Sequence, residues 1–530
     1  MNYIELFAGC GGLSLGLKSA GFDLLLANEL SPMAAETYAF NFFKEDLQIQ
    51  AKSANPKLKH CLWLNSQYTL SDLKLRLRED PRAFPSLEKG KTDITADGSN
   101  LKGSLVVGSI VDLNIWLKKK PQVANALKNG FDAGGVDLVS GGPPCQSFSM
   151  AGLRKKDCEK NTLPWEFAKF AQAIQPKLVT LENVSGILRP FKDEQGNSYY
   201  AWFELARAFS GIGYVPLCLH VNAKLAGVPQ NRPRFILLGV RQDFFDMLSP
   251  TFNEAEQKLF SQPLEFFKRT QHGKEIELSA LNYRDVTKPA DLDLFKNSFL
   301  RSLVACSDNF VTVSEAIDDL RENDNTETNF SKSLLRTFSK VLPKREMKNH
   351  EHRSNSALVQ RRFRLYQILQ QVDNGTRKEV LCVLKGETSQ ISNAAWGKLA
   401  GFDYLIESGE FVTFKTKKGF ISYLNRHPTK KQTQKALLAD QPAPAALSIP
   451  DDACHYHHDE LRTLTVREMA RIQSFPDNFE FRSKITTGGQ MRSFEVPQYT
   501  QVGNAVPPLL GRALGIAVSN LLKRNGTDSR

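Results

Sequence analysis

Asn2-Tyr-Ile-Glu-Leu-Phe-Ala-Gly-Cys-Gly-Gly-Leu13 decides how the chain is read. Tyr3–Phe7 is a short, mainly apolar run of strand type, and three glycines at 9, 11 and 12 then turn the backbone. Apolar residues at helical spacing follow from Leu13. The same alternation recurs outward from this point. Asp23–Ala27, Val136–Ser140, Lys177–Leu181 and Phe235–Val240 are further strand candidates, several of them apolar at nearly every position. Strands without polar alternation are buried on both faces, as in a parallel sheet covered by crossover helices. The expected fold is α/β, a doubly wound and mostly parallel sheet.

With 530 residues, the chain is too long for a single core. Residues 1–240 carry the strand–helix alternation, apart from 44–103, which is polar, mixed in charge and poorly periodic and reads as an insertion or mobile loop. From 241 to 458 the alternation stops. Basic clusters appear there with aromatics between them: Lys340-Val-Leu-Pro-Lys-Arg345, Arg361-Arg-Phe-Arg364 and Lys415-Thr-Lys-Lys418. This stretch reads as a second, smaller domain. Residues 459–530 are expected to return to the first domain, with helices over Val466–Ser474 and Pro508–Arg524.

The formal net charge is +12, which favours a polyanionic partner such as nucleic acid over a merely basic soluble surface. No stretch of eighteen apolar residues and no N-terminal leader pattern is present, so no membrane association and a cytoplasmic location are expected. The 8 cysteines form no CxxC pair, which suits free thiols in a reducing compartment. Cys454, His455, His457 and His458 cluster without a defensible zinc spacing, so a solvated polar loop and no metal site are expected.

Three groups of residues carry chemistry. Gly9, Gly11 and Gly12 allow close backbone approach to a ligand, and the following helix offers free amides. The second strand ends in Ala27-Asn28-Glu29, and an acid at that place commonly binds the ribose hydroxyls of an adenosine-containing cofactor. The loop lacks the GxGxxG of a pyrophosphate cradle, which leaves room for a phosphate-free ligand such as S-adenosylmethionine. Val136–Ser140 runs into Gly141-Gly-Pro-Pro-Cys-Gln-Ser147, a stiff loop that places Cys145 at the strand's C-terminal edge. Lys177–Leu181 ends in Glu182-Asn183-Val184 at the same edge. A nucleophile beside a proton donor is what addition to an electron-poor heterocycle requires. Arg232 and Arg234 are candidate cations to favour the thiolate.

In order, Phe7–Gly12, Gly141–Ser147, Glu182–Val184, Gln230-Asn-Arg-Pro-Arg234, the Arg467–Pro476 segment and Gln501-Val-Gly-Asn-Ala-Val-Pro-Pro508 resemble the signature blocks of the DNA (cytosine-5)-methyltransferases. The resemblance spans residues 1–240 and 460–524. With its first block so near Met1, the chain resembles the bacterial restriction–modification type. The resemblance implies the S-adenosylmethionine-dependent methyltransferase fold with a DNA-recognition domain, double-stranded DNA as substrate, action as a monomer and a cognate endonuclease as a companion. It implies that Cys145 adds to cytosine C6, that Glu182 contacts N3, and that Arg234, with Arg232, orients the base. Phe7, Gly9, Gly11, Gly12, Glu29, Ile110, Asn504 and Val506 would hold the cofactor. Methyltransferases flip their target base out of the duplex.

Two positions depart from the family pattern. Ser109 stands where an acid usually meets the adenine, with Asp112 a nearby substitute, and Leu225-Ala226 replace an acid and an aromatic before Gly227. A tRNA methyltransferase would not need so large a basic insert, and an amino-methyltransferase would carry an aromatic where Pro143-Pro144 is followed by Cys145. A non-enzymatic DNA-binding module gives no reason for Cys145 and Glu182 to occur together. Arg361, Arg362 and Arg364 read equally as DNA contacts or as a solvated helix face.

Overall fold

The computed structural model describes residues 1–144, 162–192, 196, 198–273, 276–322, 327–426, 435–445 and 447–526. Nine strands form one sheet: β1 (Asn2–Leu6), β2 (Asp23–Glu29), β3 (Cys61–Trp63), β4 (Ser104–Val107), β5 (Leu138–Gly141), β6 (Leu178–Val184), β7 (Tyr214–Asn222), β8 (Pro233–Arg241) and β9 (Arg284–Asp285). Their order is β9-β7-β8-β6-β5-β1-β2-β4-β3. β8 runs antiparallel to both its neighbours, and every other pair is parallel.

Alternate residues of the central strands feed two cores. Ile4, Leu6, Val139 and Leu181 point into a layer with helices α4 (Leu163–Ile174) and α5 (Ala201–Gly211). Tyr3, Leu138 and Leu178 point into the opposite layer with α1 (Gly12–Ser19) and α14 (Pro508–Leu522). Both faces are therefore buried, which is why these strands carry so few polar residues. The C-terminal helix α14 closes the second layer tightly. A Cβ on Gly16 would lie 2.4 Å from the backbone of Arg512, and one on Gly515 would lie 2.8 Å from Ala20 Cβ.

The insertion is more ordered than its composition suggests. Cys61–Trp63 adds an edge strand beside β4, and a buried Arg76–Asp93 ion pair of 2.7 Å lies by Trp63. Its polar side chains are used on backbone: Asp93 accepts from Trp63 N–H at 3.0 Å, and Glu45 from the amides of Lys59, His60 and Cys61. Three-residue strands show no period, and acids spent on amides read as loop.

The sheet also runs beyond the break expected at residue 240. β9 pairs with β7, and α6 (Glu254–Gln271) and α7 (Pro289–Lys296) bring Phe260, Phe267 and Phe295 into the same core as β8. The separate helical core comes later, in α8 (Ala357–Leu369), α9 (Asn374–Lys385), α10 (Asn393–Leu399) and α11 (Lys417–Asn425). Between them, a third core joins 313–342 to 437–505, including α12 (Val466–Ile472) and α13 (Gln498–Asn504), and takes in Cys10 and Leu15.

Two polar clusters behave unlike the sequence expectation. Arg361 and Arg364 are buried: Arg361 pairs with Glu407 at 3.0 Å, and Arg364 donates to the Asp403 carbonyl at 2.9 Å and to its carboxylate. These two arginines therefore form neither a solvated face nor an open DNA contact, because α8 turns them into its own lobe. Cys454 and His455 are fully buried too, while His457 and His458 stay partly exposed. Burial pushes His455 down to about 4, and its Nδ1 accepts from the His457 amide at 3.0 Å. Among the described residues no three His, Cys, Asp or Glu side chains are grouped to hold a metal, and no single helix is long and apolar enough to cross a membrane.

Candidate active site

The C-terminal ends of β1, β2, β4, β5 and β6 share one edge, where open α/β sheets bind ligands. After β1 the chain turns with positive φ at Phe7 (56°), Gly9 (55°) and Gly11 (95°). Gly9 has open space where a side chain would be, whereas a Cβ on Gly12 would lie 2.3 Å from the Val506 carbonyl oxygen. The first glycine therefore leaves a cradle, and the last seals the loop against the C-terminal segment.

Glu29 closes that loop from the neighbouring strand. Its carboxylate accepts the Gly9 amide at 2.8 Å and the Ser31 amide at 2.7 Å. Burial raises its pKa, and these amides oppose the rise. Asn28, facing the other way, donates to the carbonyls of Val106 and Gly108 at 3.1 and 2.9 Å and fixes the end of β4. Ser109 caps helix α3 (Ile110–Lys119), while Asp112 accepts from Asn65 of the insertion at 3.2 Å. Ile110 is buried, whereas Val111 and Asp112 beside it in the first turn of α3 are half-buried.

Gly141 and Gly142 begin the loop that leads to Cys145. A Cβ on Gly141 would lie 2.3 Å from the Leu6 carbonyl oxygen, and one on Gly142 would lie 3.0 Å from Glu182 Oε2. Asn183 donates to the Pro143 carbonyl at 3.2 Å, pinning the stem of this loop to β6. Cys145 lies outside the described residues. Glu182 pairs with Arg234 Nε at 2.7 Å across the β6–β8 ladder. Arg234 is buried, and desolvation lowers its pKa while Glu182 supports its charge. Arg232 turns instead toward the C-terminal segment and donates to the carbonyls of Gly503 and Ala505. Asn504 between them is exposed, and Val506 Cγ2 lies 3.9 Å from a Cβ built on Gly142.

Phe7, Gly9, Gly11, Gly12, Glu29, Gly142, Glu182 and Val506 thus converge on one edge. The profile of C-5 cytosine-specific DNA methylases matches residues 1–60 and 116–520. The chain belongs to that family. It is a DNA (cytosine-5-)-methyltransferase, its substrate is DNA, and its reaction needs a methyl donor. Among its relatives are the Type II methyltransferases M.DdeI of Desulfomicrobium norvegicum (25% identical, covering 98% of this chain and 88% of the relative) and M.AgeI of Thalassovita gelatinovora (25%, 97% and 98%). M1.HphI of Haemophilus parahaemolyticus is similar at 25%, covering 100% and 88%. In the methyltransferase, sequence reasoning passed over Asn28 and Asn183. The signal was present as Asn28-Glu29 and Glu182-Asn183, since strand alternation sends the two members of each pair to opposite faces.

Proposed function

We propose that the methyltransferase uses S-adenosylmethionine and a covalent Cys145 adduct to methylate a cytosine flipped out of duplex DNA, as the modification enzyme of a bacterial restriction–modification system. The observation that carries this reading is the Glu182–Arg234 pair beside the stem of the Cys145 loop, on the edge that also holds the Gly9–Glu29 cradle. The Type II relatives support the restriction–modification setting, and with it the reading includes a cytoplasmic location and a cognate endonuclease sharing the site. In this reading the enzyme acts as a monomer on DNA.

The cradle fits the cofactor on chemical grounds. Glu29 presents a partly desolvated carboxylate to ribose hydroxyls, Gly9 leaves space for the ligand, and Phe7, Gly11, Gly12, the Ile110 backbone, Asn504 and Val506 wall the site. Bound there, S-adenosylmethionine supplies an electrophilic methyl group. The protein's own groups prepare the base. Cys145 as thiolate forms a bond to C6, Glu182 delivers a proton to N3, and C5 becomes an enamine carbon. Arg234 holds Glu182 and faces the base with it. Once C5 carries the methyl group, loss of its proton to solvent, expulsion of the Cys145 thiolate and return of the N3 proton to Glu182 restore the aromatic ring and the enzyme.

Every described cysteine has its pKa raised, chiefly by burial except at Cys382, where Glu387 is the main cause. Of the two remaining cysteines, Cys145 and Cys158, the first follows directly on the Gly141–Gly142 stem beside Glu182, which supports Cys145. The helical lobe of α8–α11 supplies target recognition, with phosphate contacts from exposed lysines and base readout from polar side chains. Incubation with labelled S-adenosylmethionine and unmethylated bacteriophage DNA, followed by mapping of 5-methylcytosine, tests the reading. Label at C5 of one cytosine in a fixed sequence is expected; label on N4, on adenine or on RNA alone would overturn it.

A further inference from the structure

Arg232 is buried to 4% exposure and uses its guanidinium on three main-chain carbonyls: Gly503 at 2.8 Å, Ala505 at 3.1 Å and Ala445 at 3.4 Å. Its Nε–H has no partner among the described residues. Burial and the neighbouring Arg234 oppose its charge, while Glu182 favours it. A guanidinium stays protonated, so carbonyl dipoles must solvate it in place of water.

Those carbonyls come from two separate parts of the chain. Gly503 and Ala505 flank Asn504. Ala445 belongs to the segment returning from the helical lobe, whose Ala443–Pro444 pairs with Gln230–Asn231 just before Arg232. Gln230 Nε2 donates to the Pro444 carbonyl at 3.0 Å. A second contact joins the same pieces without any charge: a Cβ on Gly503 would lie 2.5 Å from Ser448 Cα and 2.6 Å from the Leu447 carbonyl oxygen. The return segment is therefore clamped between the Arg232 strand and the C-terminal wall.

We infer that Arg232 is a positioning residue whose guanidinium holds the Gly503–Val506 wall of the cofactor site against the strand carrying Arg234, with the recognition lobe's return segment as the third member of the joint. This inference rests on the reading of Gly503–Val506 as a cofactor wall. A planar fork can reach several carbonyls at once, and an ammonium on a flexible stem cannot replace it. Cofactor affinity should then depend on Arg232 although Arg232 does not touch the reacting base.

The full chain carrying Arg232→Lys, Arg232→Met or Gly503→Ala provides the test. S-adenosylmethionine affinity is measured by calorimetry, and KM and kcat are measured on unmethylated bacteriophage DNA, with circular dichroism to establish folding. Arg232→Lys should raise the cofactor KM about tenfold while kcat changes far less, and Arg232→Met should raise it further. Gly503→Ala should act in the same direction by pushing the return segment off the wall. Unchanged cofactor affinity in folded Arg232→Lys, or a fall in kcat at constant KM, would overturn the inference. If neither Arg232 variant folds, Gly503→Ala decides: weaker cofactor binding supports the joint and unchanged binding overturns it. Glu29→Ala separates the two readings. Loss of affinity there without loss in the Arg232 variants defeats this inference alone; retained affinity in Glu29→Ala defeats the cofactor site itself.

Discussion

Arg234 at the sheet edge and Arg364 in the helical lobe are buried alike, at 8% and 5% exposure, and each reaches a carboxylate. Their partners differ. Glu182 is itself only 13% exposed and stands on the adjoining strand at the edge where the glycine loops converge. Asp403 is 43% exposed and belongs to the same small lobe as Arg364, and Glu407, which pairs with Arg361, is 67% exposed. The comparison teaches that convergence with other reactive groups, and not burial of an ion pair alone, marks a candidate site, since Arg76–Asp93 is as buried as Arg234–Glu182 and lies in the insertion. Where the acid faces water, the arginine is holding a lobe together. Both arginines lie in basic runs, and the structure separates them further by where their acids stand.

The contrast is sharpest at Glu182. Glu182→Gln keeps a hydrogen-bonding group beside Arg234 but cannot give a proton to N3, so kcat should fall by about 10²–10⁴ with DNA binding retained. Steady-state turnover against a gel-shift measurement of DNA affinity checks it, and undiminished turnover would make the pair as structural as those of the lobe. Three strands away on the same edge, Glu29→Ala should weaken S-adenosylmethionine binding by about tenfold to a hundredfold, the worth of a charged hydrogen bond, with DNA affinity little changed. Calorimetric titration decides this one; equal cofactor affinity would move the ribose contact elsewhere.

On the other side of the comparison, Arg364→Ala should cost about 1–3 kcal/mol of stability by stripping the Asp403 carbonyl of its donor, without altering turnover while the lobe remains folded. Denaturant unfolding paired with activity at low temperature measures both. A large loss of sequence-specific binding in a folded variant would return Arg364 to the DNA interface.

The fourth expected effect concerns pH. Glu5 lies under the glycine loop with 1% exposure, bonded to Ser14, whose hydroxyl also meets Tyr3 at 2.9 Å and Tyr38 at 2.8 Å. Burial pushes its carboxyl up from 4.5 to about 8, with Glu29 adding to the rise. The folded protein therefore keeps a proton that the unfolded chain releases, and stability from this group declines as pH rises from 4.5 through about 8. Glu5→Gln should remove that slope from the Tm-against-pH curve. Parallel curves for variant and wild type would mean that Glu5 is ionised in the fold.

All five strands read from the sequence occur in the sheet, because runs such as Leu178–Leu181 are apolar toward both cores and leave no competing assignment. The convergence of Glu182 with the Gly141–Gly142 stem was legible for the same reason: parallel strands present their C-terminal ends together. What escaped was held by polar groups. β3 is three residues long and capped by acids, β9 is two residues long, and the carbonyl contacts of Arg232 join residues 271 and 273 positions apart. No periodicity records a side chain that satisfies distant backbone.

In the proposed reaction Cys145 attacks the cytosine whose N3 Glu182 protonates. Cognate duplex DNA carrying 5-fluorocytosine at the target position, incubated with S-adenosylmethionine, tests it most directly, because fluorine at C5 blocks the release that follows methyl transfer. The account predicts a denaturation-resistant protein–DNA complex whose proteolytic digest carries the nucleotide on Cys145, and no complex with Cys145→Ala. An adduct mapped to any other residue, or methylation by Cys145→Ala at even a tenth of the wild-type rate, would contradict it.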